Sequence, residues 1–94
     1  MGTSTIKRQE ELIATRTMPS NANWNDYRTD AHVGVWTYGD KTNMSNCPNI
    51  NWGILIVTNA GFPVQTVLRG GQIWMRNYSG SPVAWSKWYL ANKF

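Results

Sequence analysis

The sequence predicts a mainly β fold: a small antiparallel meander or sandwich-like knob, preceded by a short N-terminal helix or stalk segment. Three observations carry that prediction. Segments 33–38, 52–58, 64–69, 72–78 and 84–90 concentrate the β-branched and aromatic residues. Gly, Pro and Asn punctuate the gaps between them at hairpin distance, as in short antiparallel strands. Residues 1–18, by contrast, contain no aromatic residue and hold the strongest helix-forming stretch, 7–14.

With 94 residues the chain has room for one domain. A chain of this size buries only about 60–65% of the surface it exposes when unfolded. Its core is therefore thin, and self-association is a natural support. We divide it into a leader or helical stalk stub, 1–18, and a knob-like β domain, 19–94. In the leader, Ile6 and Ile13 stand one heptad apart with Leu12 beside Ile13. That spacing suits the end of a coiled-coil stalk. A helix so short is marginal alone, so a flexible leader is an equal reading.

In segment 52–58, Trp52, Ile54 and Ile56 alternate with Gly53, Leu55 and Val57, making both faces apolar and the strand central. Segment 64–69 alternates Val64, Thr66 and Leu68 with Gln65, Val67 and Arg69, which reads as half-buried. Gly70-Gly71 makes a two-residue hairpin turn, because Gly adopts positive φ without steric cost. The runs 59–63 and 79–82 close two more hairpins, so residues 52–90 read as a four-stranded meander. In 72–78, Ile73 and Met75 share one face, and Trp74, Arg76 and Tyr78 share what reads as the outer face. Trp85 and Trp88 are three apart and are expected on opposite faces.

Composition narrows the chemistry. Nine Lys and Arg against five Asp and Glu give a net charge of +4, and charged residues are only 15% of the chain. One cysteine, Cys47, excludes an intrachain disulfide, and one histidine, His32, leaves too few ligands for a His/Cys zinc site. We expect no cofactor and no metal. Few acids and one histidine also argue against acid–base catalysis, so the expected function is binding, without enzymatic activity. The longest apolar run, Ile54-Leu55-Ile56-Val57, is too short for a membrane span. No charged-then-apolar leader opens the chain, so neither membrane insertion nor a secretory signal is expected.

Trp74, Arg76 and Tyr78 are the leading candidate site. Aromatic rings cover the apolar C–H face of a pyranose, while Arg donates to hydroxyl or acidic groups. One of Trp85 and Trp88 adds a ring. The same residues also suit a cross-strand aromatic ladder with Arg76 stacked on a ring. Asn49 and Asn51, in the asparagine-rich run 43–51, offer donors and acceptors that match sugar hydroxyls; asparagine equally builds turns with no ligand. Asp26 and Asp30, four apart, are the carboxylates a glycosidase reading would use, but nothing places either in a cleft and Asp26 suits an N-cap or turn acceptor. His32 reads as a packed or surface residue and Cys47 as a small hydrophobe. A basic, aromatic-rich β domain also fits single-stranded nucleic acid. That partner is disfavoured here, since four of the nine cations fall before residue 29, away from most aromatic strands.

The ordered motifs resemble the pyocin-knob family of bacteriophage and R-type bacteriocin tail fibres. The residues that carry the likeness are Asn25-Asp26-Tyr27-Arg28-Thr29, Gly34-Val35-Trp36, Asn46-Cys47-Pro48 and Trp52-Gly53-Ile54-Leu55-Ile56-Val57. Val64-Gln65, Gln72-Ile73-Trp74-Met75-Arg76 and Trp85-Ser86-Lys87-Trp88 follow in order, so the match spans about 24–90. Here Asp30-Ala31-His32-Val33 precedes Gly34 where the family has an earlier Gly, and Trp36 stands where Tyr is usual. The resemblance implies a virion tail-fibre module that engages a bacterial surface glycan, lipopolysaccharide or teichoic acid. It further implies a homotrimer joined to an upstream fibre shaft, extracellular after release. A ligand-free trimerisation or spacer module is the alternative within the same fibre.

Overall fold

A computed structural model describes residues 15–92. The fold is mainly β, as expected. Its strands are β1 (Thr15–Thr17), β2 (Gly34–Tyr38), β3 (Gly53–Asn59), β4 (Pro63–Arg69), β5 (Gln72–Ser79), β6 (Ala84–Trp85) and β7 (Tyr89–Leu90). They form one sheet in the order β1-β2-β3-β4-β5-β6, with β7 also on β5. β1 runs parallel to β2, with Thr15 opposite Val35; every other pairing is antiparallel. The meander read from 52–90 is the centre of this sheet.

The helical stub expected at 7–14 lies outside the described residues. The C-terminal end of the segment read as a leader belongs to the β domain: Thr15–Thr17 is an edge strand and Met18 is 4% exposed in the core. No period-2 pattern marks so short a strand, and its partner is twenty residues away.

Alternation gives the sheet two unlike faces. On the covered face Leu55, Val57, Gln65, Val67 and Arg76 are all buried. Long connections close over them, bringing Met18, Ala22, Trp24 and Tyr27 from one side and Met44, Cys47 and Ile50 from the other. The second layer is thus loop, not a second sheet, and its backbone groups pair across the two connections. Trp24 N–H donates to the Ser45 carbonyl at 3.0 Å, and Ser45 N–H to the Ala22 carbonyl at 3.1 Å. Such pairing lets irregular chain cover a core while its paired backbone groups stay satisfied. Trp24, fully buried, sits edge-on to Tyr38 (4.9 Å) and Trp88 (5.8 Å).

None of the described residues forms a layer over the other face. Its cross-strand rows are Thr37-Ile54-Leu68-Ile73, Val35-Ile56-Thr66-Met75-Tyr89 and Thr58-Val64-Asn77. These rows contain no charged residue, and Ile54, Leu68 and Tyr89 are exposed. β3 is central, as its sequence suggests, but it is fully buried on one side only: the expectation of two buried faces fails because the described residues supply one covering layer.

Segment 84–90 is a broken strand. Tyr78 lies opposite Trp85 while Trp74 lies opposite Leu90, so four steps along β5 face five along its partner. The extra residue is a bulge. Asn77 N–H donates to Ser86 Oγ at 3.0 Å, and Ser86 N–H returns a bond to the Asn77 carbonyl at 2.8 Å. An odd insertion reverses the alternation beyond it, which corrects the opposite-face expectation for Trp85 and Trp88. Both indoles reach the covered face.

Candidate functional site

Arg76 is where the two indoles meet. Its guanidinium carbon lies 4.2 Å from the Trp85 ring centroid and 4.8 Å from that of Trp88. Nε donates to Gln65 Oε1 at 2.7 Å, and Gln65 Nε2 donates to the carbonyls of Trp24 (2.6 Å) and Tyr27 (3.0 Å). Trp85 Nε1 donates to the Asn25 carbonyl and Trp88 Nε1 to that of Asn46. Burial pulls the Arg76 pKa down to about 10, so it is still a cation at neutral pH. Indole faces and one amide oxygen serve where a carboxylate would be usual. Arg76 is only 4% exposed, so the outer-face reading of Trp74, Arg76 and Tyr78 is corrected: this strand turns them toward the covered side. The cluster joins the sheet to its covering loops.

A concave site opens at one end of the same face. Its volume is about 440 Å³, within the range of small-molecule sites. Tyr78 forms the floor with Arg28, whose guanidinium carbon lies 4.8 Å over the ring. Phe62, Asn59 and Pro63 come from the β3–β4 hairpin, and Ser79, Gly80 and Val83 from the end of β5 and the turn that follows it. Trp85 supports the Tyr78 ring from behind, centroids 5.1 Å apart. No carboxylate is among the lining residues, so Arg28 gives the pocket a positive character. Two rings, a cation and an amide in a shallow, open cavity can hold a polyol by stacking and hydrogen bonding.

Of the candidate residues, Tyr78 alone lines this cavity. Trp85 and Trp88 bracket Arg76, and Trp74 is half-buried with Nε1 donating to Gln72 Oε1 at 3.1 Å. Asn49 and Asn51 are exposed near the opposite end of β3, where Asn51 Oδ1 accepts from the Lys41 N–H at 2.9 Å. Asp26 and Asp30 are exposed on separate 3-10 turns. His32 is half-buried against Tyr27 (centroids 4.5 Å), and burial, then Arg16, lowers its pKa. Cys47 is half-buried and its thiol pKa is raised by burial. Arg28 and Phe62 were not singled out from sequence. The available signal was Phe62 itself, an aromatic residue within a Gly/Pro turn, where no strand face calls for it.

Among the described residues no cluster of three His, Cys, Asp or Glu side chains is placed to hold a metal. No helix among them is long and apolar enough to cross a membrane. No family model, curated protein or solved structure matches the chain.

Proposed function

We propose that this chain is a non-enzymatic receptor-recognition module of a bacteriophage or phage-like tail fibre. It binds a bacterial surface glycan, lipopolysaccharide or teichoic acid, and stands on an upstream shaft as a homotrimer. The observation that carries the glycan reading is the open pocket in which Arg28 lies over Tyr78 beside exposed Phe62, with no carboxylate to repel an acidic sugar. The pyocin-knob-like motif order between 24 and 90 supports the tail-fibre setting. The uncharged, uncovered sheet face supports association between copies. Among the described residues the rows of this face carry no charge, so like copies of a chain with net charge +4 can approach there without repulsion.

Whole-cell adsorption and glycan arrays with the folded full-length chain test this reading. Arg28→Ala and Phe62→Ala are expected to lower binding at least tenfold while circular dichroism is unchanged. Retained binding in both variants rejects the pocket. A trimer that adsorbs to no cell or glycan favours the spacer alternative, whose support is the same uncharged face.

A further inference from the structure

Trp52 is 70% exposed, yet it sits at φ 60°, backbone that bulky side chains rarely adopt. Left-handed backbone is costly for such a residue, and an indole this exposed gains little from burial. Backbone strain retained without a packing gain points to a role for the ring. Its position is fixed. Trp52 N–H donates to the Gly39 carbonyl at 2.9 Å, and the indole lies on Gly39, where a Cβ would come within 3.1 Å of Cζ3. Asn51, just before it, receives Arg69 Nε on its carbonyl and the Lys41 N–H on its side chain. Arg69 is thereby held at this corner by its guanidinium and Lys41 by its backbone. Asp40, the nearby acid, turns its carboxylate to the Thr42 N–H at 2.8 Å and to the Thr42 hydroxyl.

We propose that this corner is a second saccharide subsite, selective for a sugar that bears a carboxylate or phosphate. The apolar face of the sugar lies on the indole, and its acid group meets Arg69 and Lys41. The inference rests on the glycan reading above and adds to it a charge class and a second point of attachment. β3 runs from Gly53, next to Trp52, to Asn59 in the pocket wall. At ~3.3 Å per residue the two sites stand about 20 Å apart. A polymer that engages both gains effective concentration at the second site.

The test is a titration of the ¹⁵N-labelled full chain with glucuronate, glucose 6-phosphate, glucose and oligothymidylate, following the indole Nε1–H resonances. Trp52→Gly relieves the positive φ while removing the ring, so it stays folded and identifies the Trp52 signal. That signal is expected to move with an acidic sugar at a Kd at least fivefold below that for glucose. A response to glucuronate alone or to the phosphate alone supports the subsite and names its acid. Lys41→Gln/Arg69→Gln is expected to bring the preference within twofold. Equal response to glucose, a preference that survives the double substitution, tighter oligothymidylate binding, or no movement with any probe overturns the proposal. Arg28→Ala leaves the Trp52 response intact. A silent Trp52 beside a working pocket therefore rejects this subsite alone, and the converse rejects the pocket alone.

Discussion

Gln65→Leu is the most informative perturbation of the fold. Gln65 is fully buried and holds three contacts: the carbonyls of Trp24 and Tyr27, and Arg76 Nε. Leucine has similar volume and leaves no large cavity, so the cost falls on the stranded partners. The Trp24 carbonyl still receives the Tyr27 N–H at 3.2 Å and loses least. The Tyr27 carbonyl loses its Gln65 donor, at roughly 1–2 kcal/mol, and a buried cationic N–H costs roughly 2–3 kcal/mol. The expected destabilisation is about 3–5 kcal/mol, against about 5–14 kcal/mol for a domain of this length. In urea, with a slope near ~1.5 kcal/mol/M, the midpoint falls by about 2–3 M. Indole fluorescence follows the transition, because Trp24 leaves a fully dry site on unfolding. Adding Arg76→Met removes the stranded cation, so the double variant is expected to recover about 2 kcal/mol. A midpoint shift under about 0.5 M for Gln65→Leu, or strictly additive losses in the double variant, would refute the node as described.

Four further outcomes are expected. Tyr38 is buried and its phenol donates to the Ile50 carbonyl at 2.9 Å; burial lifts its pKa from 10.0 to about 12. The folded state thus holds this proton longer than the unfolded chain, so the contribution is intact below pH 10 and is lost as pH rises toward 12. Urea titrations should show about 2–3 kcal/mol less stability across that window, and Tyr38→Phe should flatten the decline. Trp52→Gly is expected to raise stability by about 1 kcal/mol, read from the urea midpoint, since Gly occupies positive φ freely. Ser86→Ala strips the Asn77 N–H of its acceptor and should cost about 1 kcal/mol; deleting Ser86 should cost far more, by turning Trp85 away from Arg76. Leu68→Glu places a charge amid the apolar rows, and on the trimer proposed above light scattering is expected to report monomers for the variant against trimers for the parent chain.

The strands were legible because period-2 alternation and Gly, Pro or Asn turns are local signals. Gly70-Gly71, 59–63 and 79–82 fall where hairpins form, and β4 alternates as read. What eluded the sequence depends on distant partners. Arg76 looked like a surface residue because burying a cation without a carboxylate is costly; its compensation, two indoles and an amide, comes from Gln65 and from beyond a bulge. Ser86 gives no sign that its hydroxyl replaces a backbone carbonyl in the ladder. The Trp52 side chain was read in phase with Ile54 and Ile56, whereas its positive φ takes it out of the strand. Of the candidate site, Tyr78 was found and Arg28 and Phe62 were not, because turns and 3-10 segments carry no periodicity.

The pocket rim is made of parts that the core hardly uses. Phe62 and Val83, both about half accessible, project from the tips of two hairpins whose strands are anchored elsewhere. Exchanging Phe62 or Val83 therefore leaves the interior undisturbed, and each change alters the pocket rim alone. Libraries restricted to 60, 62, 81 and 83, which spare the positive-φ Gly61 and Gly80, should yield mostly well-behaved proteins and, on the glycan reading proposed above, altered ligand preference. The same diversity placed at 22–27 or 44–50 would return mainly unfolded chains.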